Sequence, residues 1–119
     1  KEEALDGVTA ISGPGPAYVF RFIEALTEAG LRYGFNDVQA KRMAIATVLG
    51  SAELAKRSGE SPSVLREKVT SKGGTTYEAL KVMNDRHFME MMQDAMDACK
   101  KRAVELGDAF HESVEAAEK

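Results

Sequence analysis

The last third of the chain constrains the fold most, because its apolar residues recur at alternating steps of four and three. These residues are Phe88, Met92, Ala95 or Met96, Cys99, Ala103, Leu106 and Phe110. We call them the seam. The spacing predicts one long helix from Arg86 nearly to the end, packed lengthwise on another helix. A helix of about 25 residues is about 37 Å long, which exceeds the width of a compact domain of this size. We therefore expect a second copy of the chain to supply part of the core.

Two further helices are predicted before the middle of the chain. Residues 17–29 are apolar on most sides, which predicts a helix that is buried against more than one neighbour and ends at Gly30. Asn36 is followed three residues later by Gln39, the reciprocal capping pattern, which predicts a helix over 37–56.

Shorter helices and turns complete the prediction. Ser61-Pro62 has the residue types preferred at a helix cap and at the first helical position. A further short helix is expected over 77–83, followed by a turn at 84–85. No alternation typical of strands occurs. The sequence thus predicts a single all-α domain over residues 1–119, with a long C-terminal helix interlocked with a second copy in a homodimer.

Composition excludes several classes of protein. The net charge of -3 argues against a nucleic-acid partner, and no apolar run reaches the roughly 18 to 20 residues of a membrane span. The first 13 residues lack the layout of a signal peptide and carry only a weak apolar pattern at Leu5, Val8 and Ile11. The single cysteine, Cys99, fits the reducing cytoplasm, so we expect a cytoplasmic protein.

The loop TSKGGTTYEAL, residues 70–80, has the residue types of an anion site. Thr75 and Glu78 match the S/T-x-x-E capping box, which predicts that a helix begins there. Gly73 and Gly74 remove side chains before the helix, so an anion could approach its first N–H groups. Polar groups adjoin them: Ser71, Lys72, Thr75 and Thr76. The residues leave two interpretations open, a carboxylate or phosphate site and a plain connector.

Two motifs resemble the pyrroline-5-carboxylate reductase family. EKVTSKGGTTYEAL resembles the family's V-T/S-S-P-G-G-T-T signature, and ISGPGPAYVFRFIEAL is similar to its S-G-S-G-P-A-Y followed by an apolar helix. EAGLRYGF and the A-x-x-T-V-L-G-S-A run at 44–52 match as well. The resemblance covers roughly residues 7–106, with both motifs in the family's order.

The resemblance implies part of an oxidoreductase. Enzymes of this family reduce the C=N bond of 1-pyrroline-5-carboxylate to L-proline with NADPH or NADH, which an N-terminal Rossmann domain binds. This chain resembles only the C-terminal helical dimerisation domain. No strand followed by G-x-G-x-x-G is present, so GPGP at 13–16 is interpreted as a stiffened start of a helix. We expect no cofactor-binding residue and no metal site in this chain, and no catalysis by it alone.

The same resemblance implies where substrate binds. The substrate-binding residues would be Ser71, Gly73, Gly74, Thr75 and Thr76. The loop would hold the carboxylate through backbone N–H and hydroxyl groups, and Thr76 would be catalytic, next to the ring nitrogen. Two residues depart from the family pattern, Lys72 in place of proline and Pro14 in place of serine.

The sequence is also compatible with two other functions. One is a free-standing helical interaction module whose loop is only a connector. The other is a reductase of a different imine or of a 3-hydroxyacid with a similar helical domain. The resemblance leaves NADPH and NADH open as the cofactor, and a homodimer or a larger homo-oligomer as the assembly.

Overall fold

Six helices form the computed structural model, which describes residues 2–118. The helices are α1 Glu2–Ser12, α2 Gly15–Arg32, α3 Asp37–Ser58, α4 Pro62–Lys68, α5 Thr75–Asp85 and α6 Phe88–Glu118. No strand occurs in the described range, which confirms the all-α prediction. The chain divides into two units: residues 18–85 form one, and residues 2–17 with 86–118 form the other. None of the helices in the described range is long and apolar enough to cross a membrane.

The predicted caps of α3 and α4 are confirmed. The Gln39 N–H donates to the Asn36 side chain at 2.9 Å, and the Asn36 N–H donates to the Gln39 side chain at 3.1 Å. The Ser61 hydroxyl accepts the Val64 N–H at 3.3 Å, and Pro62 is the first residue of α4. These bonds use N–H groups that have no partner within the helix, so both helices begin where the sequence predicts.

The predicted stop at Gly30 is wrong. Helix α2 continues to Arg32, and Gly34, with a φ of 97°, follows it. Gly30 is buried, and a Cβ added there would lie 2.9 Å from the Cβ of Ala40 in α3. The glycine therefore permits two helix backbones to approach closely, a role that depends on a residue ten positions away.

The ends of α5 also differ from the prediction. The expected turn at 84–85 is wrong, because α5 runs from Thr75 to Asp85. The chain turns instead at His87, whose φ of 58° is in the left-handed region. The His87 carbonyl then accepts the Met91 N–H at 2.9 Å at the start of α6.

Helix α6 packs against α1, which confirms for the middle of the seam that it lies against another helix. The seam residues at the two ends, Phe88, Leu106 and Phe110, are exposed. The half-buried residues of α6 are mostly seam residues: Met92, Met96, Cys99, Lys100 and Ala103. On α1, Ala10 is buried and Gly7 is half-buried, whereas Leu5, Val8 and Ile11 are exposed. At 100° per residue the last three lie on the side opposite to Ala10. Helix α1 therefore contacts α6 through small residues and leaves its large apolar residues uncovered.

The described chain has almost no core of its own. Its buried apolar residues are three alanines: Ala10, Ala40 and Ala44. The prediction that α2 is buried against several neighbours is wrong for the chain alone, since Phe20 is 63% exposed and Phe22 is exposed as well. Any such neighbours lie outside the chain.

The solvent-accessible area of the chain also indicates that some packing neighbours lie outside it. The chain exposes 9850 Å². Two compact units of these sizes, even without mutual contact, would expose about 7,600 Å² by the usual relation between area and mass. The excess is about 2,200 Å² per chain, or about 4,400 Å² for two chains, which is typical of obligate interfaces.

We predict that Gly30→Ala destabilises the protein by about 1–3 kcal/mol, because the added methyl group would overlap Ala40. The control is Gly50→Ala, also in a helix, where the added Cβ would have no heavy atom within 4 Å apart from its chain neighbours and the backbone of its own helix. This control should be neutral or slightly stabilising, since alanine favours helix. Urea unfolding at one fixed protein concentration measures both. Equal effects of the two substitutions would contradict the close approach of α2 and α3.

Candidate functional site

The glycine-rich loop forms a tight turn before α5. The Gly74 N–H donates to the Ser71 carbonyl at 2.9 Å, which closes a four-residue turn. Gly73, the third residue, has a φ of 76°, and Lys72, the second, does not have a positive φ. This combination is typical of a type II turn, which requires glycine at the third position and favours proline at the second. Lys72 thus occupies the position where the family pattern has proline.

The capping box predicted at Thr75 and Glu78 is wrong by one residue. Helix α5 begins at Thr75, and the Gly74 carbonyl accepts the Glu78 N–H at 3.2 Å. Gly74 therefore occupies the cap, and Glu78 is the fourth helical residue rather than the third. The sequence pattern was misleading because a glycine also tolerates the cap position.

A glycine cap leaves the first amides of α5 without partners. The N–H groups of Thr75, Thr76 and Tyr77 donate to no acceptor among the described residues. By contrast, side chains cap α3 and α4. Unpaired N–H groups at a helix start carry partial positive charge and bind anions. We call residues 71–77 the anion cradle.

Ser71 lies directly over the glycine cap. A Cβ added to Gly74 would collide with the Ser71 hydroxyl oxygen and lie 3.1 Å from the Ser71 carbonyl oxygen. Only glycine lets this hydroxyl lie so near the start of α5. The hydroxyl therefore lies beside Gly74, the residue that precedes the three unpaired amides.

Thr70 fixes the other end of the loop. Its hydroxyl donates to the Arg66 carbonyl in α4, and its N–H donates to the Glu67 carbonyl at 3.1 Å. Sequence reasoning assigned Thr70 no role. The available signal was its position four residues after Arg66, where a threonine hydroxyl reaches a free helical carbonyl. The cradle is thus held between two helices, α4 and α5.

All five predicted substrate-binding residues lie in this one cradle. Ser71, Gly73 and Thr75 are exposed, whereas Gly74 and Thr76 are half-buried. The Gly74 N–H is already bonded within the turn, so the free donors are those of Thr75 and the two residues after it. The cradle is open to solvent in the chain alone, and a ligand there would contact it from one side.

The GPGP segment lies at the junction of α1 and α2. The Ala17 N–H donates to the Pro14 carbonyl at 2.8 Å, and Pro16 is the second residue of α2. This confirms the interpretation of GPGP as a stiffened start of a helix.

The described residues offer neither a nucleotide fold nor a metal cluster. Residues 2–118 contain no strand from which a glycine fingerprint could follow, and no group of three metal-ligating side chains. The chemistry of the cradle is that of an anion site with hydroxyl groups and one nearby lysine. A carboxylate or a phosphate satisfies it.

Comparisons with known proteins agree on one family. The family model for pyrroline-5-carboxylate reductase dimerisation matches residues 2–106. A pyrroline-5-carboxylate reductase of Synechocystis is 42% identical over 106 residues, which are 89% of this chain and 40% of that protein. Pyrroline-5-carboxylate reductase 2 of Bacillus subtilis is 38% identical over 110 residues, 92% of this chain and 40% of that protein. The chain spans about 40% of the length of these curated relatives.

Solved structures show the same helical arrangement. A pyrroline-5-carboxylate reductase from Coxiella burnetii has a TM-score of 0.85 and 40% identity, covering 89% of this chain and 39% of that one. The Plasmodium falciparum pyrroline carboxylate reductase, solved with NADP bound, has a TM-score of 0.82 and 35% identity. That match covers 86% of this chain and 39% of that one.

We predict that Lys72→Pro stabilises the protein by about 0.4–1 kcal/mol, because proline fits the second position of this turn and restricts the unfolded chain. Gly73→Ala should destabilise it by about 1 kcal/mol or more, since its φ of 76° is costly for alanine. Thermal unfolding of both variants and of the unsubstituted protein measures the two changes in stability. Destabilisation by proline, or tolerance of alanine, would contradict the type II turn.

Proposed function

Because the chain belongs to the pyrroline-5-carboxylate reductase dimerisation family, we propose that it is the dimerisation and substrate-binding domain of such a reductase. The reaction is reduction of the C=N bond of 1-pyrroline-5-carboxylate to L-proline, with hydride from NADPH or NADH. The observation that carries the proposal is the uncapped start of α5. Three unpaired amides follow a glycine cap in the segment that resembles the family signature.

The amides of the cradle account for recognition of the acid. The substrate carboxylate accepts hydrogen bonds from the N–H groups of Thr75, Thr76 and Tyr77, which otherwise lack acceptors. The positive end of the helix dipole favours the negative charge. The Ser71 hydroxyl, held over Gly74, is placed to donate one further bond. Fixing the carboxylate orients the attached ring, which is catalysis by positioning.

Thr76 is assigned the catalytic role at the ring nitrogen. Its side chain is half-buried and forms no hydrogen bond within the described chain, so the hydroxyl is available to a ligand. A hydroxyl can accept a bond from the protonated imine and can donate to or accept from the product amine. It therefore suits a nitrogen whose protonation changes when hydride adds to the neighbouring carbon.

The chain's own residues do not fit a dinucleotide, since the described range lacks a strand and a glycine fingerprint. We assign the nicotinamide cofactor to a separate N-terminal domain. The Plasmodium falciparum relative was solved with NADP bound, which supports a nicotinamide cofactor for the full-length protein. The uncovered apolar surface and the dimerisation family support a homodimer. The single, half-buried Cys99 supports a cytoplasmic location.

We predict that Thr76→Ala, in a protein that carries the cofactor domain, lowers kcat/KM for pyrroline-5-carboxylate about 10- to 100-fold. Stability should change little, because the Thr76 side chain has no hydrogen-bond partner in the described chain. Thr76→Ser should restore most of the activity, since it keeps the hydroxyl. Steady-state kinetics with denaturant unfolding of the same samples measures both quantities.

Ser61→Ala is the matched control. It removes the cap of α4 and should cost about 1 kcal/mol of stability while leaving turnover near that of the unsubstituted protein. Unchanged kinetics of Thr76→Ala would refute the role assigned to this hydroxyl. No reduction of pyrroline-5-carboxylate by the unsubstituted protein would refute the proposed function and favour a helical interaction module.

A further inference from the structure

Thr70 directly precedes the anion cradle, and two of its groups are bonded to the end of α4. Its hydroxyl donates to the Arg66 carbonyl, and its N–H donates to the Glu67 carbonyl at 3.1 Å. Carbonyl groups in the last turn of a helix lack partners within the helix, so α4 offers acceptors exactly where the loop leaves it. The two bonds fix both the backbone and the side chain of Thr70 relative to α4.

The hydroxyl bond of Thr70 differs in position from similar bonds elsewhere in the chain. Ser12, Thr27 and Thr47 also donate to the carbonyl four residues earlier, at 2.7–2.8 Å. In each of these three bonds the donor and the acceptor lie in the same helix, whose backbone bonds already fix both residues. Thr70 lies beyond Lys68, the last residue of α4. Its hydroxyl therefore connects a helix to the loop that follows.

The position of Thr70 is passed on to both ends of the cradle. The next residue is Ser71, whose carbonyl accepts the Gly74 N–H at 2.9 Å and whose hydroxyl lies beside Gly74. Thr70 also lines a surface groove together with Tyr77, the last residue of the cradle. A shift of Thr70 would therefore move the turn relative to the unpaired N–H groups of α5.

We propose that Thr70 is a positioning residue for the substrate carboxylate, acting through Ser71 and the turn that ends at Gly74. The proposal rests on the proposed function and adds a residue that acts without contacting substrate. The two bonds of Thr70 order the cradle before the acid arrives, so binding need not order it. The carboxylate keeps its charge during hydride transfer, so the cradle holds it equally in the ground state and the transition state. Loss of the hydroxyl should thus raise KM rather than lower kcat.

Steady-state kinetics of a protein that carries the cofactor domain tests this role. Thr70→Val removes the hydroxyl and keeps the shape, and it should raise KM for pyrroline-5-carboxylate about 3- to 10-fold with kcat within about twofold. Thr70→Ser keeps the hydroxyl and should restore KM to within about twofold. The matched control is Thr47→Val, which removes the same kind of bond inside α3. It should leave KM unchanged.

Two further measurements separate positioning from a general loss of structure. Cyclopentanecarboxylate is a ring acid without the nitrogen, so its inhibition constant should rise in Thr70→Val by the same factor as KM. Hydrogen exchange of the unliganded protein reports the turn directly, because the Gly74 N–H donates to the Ser71 carbonyl. This N–H should exchange faster in Thr70→Val than in Thr47→Val or the unsubstituted protein.

Each outcome decides the proposal. An active Thr70→Val protein with unchanged KM, unchanged exchange at Gly74, or a serine variant as impaired as the valine variant would overturn it. Failure of Thr70→Val to fold would overturn it as well, because the bond would then be required for folding rather than for binding. If the unsubstituted protein reduces no pyrroline-5-carboxylate, the proposed function itself fails, and the role of Thr70 fails with it.

Discussion

The shortage of buried apolar volume is the constraint on which the rest of this structure depends. Three alanines cannot offset the conformational entropy lost when about a hundred residues become helical. Small residues occupy the helix contacts because Gly30 and Ala40 let the backbones of α2 and α3 approach closely. The large apolar residues of α1 and several of those of α2, among them Phe20 and Phe22, remain exposed. One chain therefore supplies only part of a hydrophobic core. We expect that the chain folds and associates with a second copy in one process.

The anion cradle also depends on groups that the chain leaves without partners, here the backbone N–H groups at the start of α5. The Asn36 side chain accepts the Gln39 N–H at the start of α3, and the Ser61 side chain accepts the Val64 N–H at the start of α4, so a side chain of the protein occupies each of these helix starts. At α5 a glycine replaces the capping side chain, and three amides stay unpaired. Thr70 and the turn at Gly73 fix the geometry before any ligand arrives. Preorganised donors of this kind cost little reorganisation when a carboxylate binds.

Local signals predicted the local features of this fold. The bonds of Asn36 and Ser61 connect residues three positions apart, so the sequence alone contains both partners. The seam was equally visible, because its period is a property of one helix. The five cradle residues were found together since they are consecutive, although Gly74 rather than Thr75 forms the cap. The role of Gly30 was missed because it depends on Ala40 in another helix. Helix α1 was missed because its apolar pattern is weak and its contact with α6, a distant part of the chain, is not visible in the local sequence.

The concentration dependence of unfolding tests the central claim that one chain lacks a core of its own. Circular dichroism during urea titration should be followed at several protein concentrations, with sedimentation of the same samples. The midpoint should rise with protein concentration, and helicity and the dimer of 12.9-kDa chains should disappear together. A cooperatively folded monomer whose midpoint does not change on dilution would contradict the account.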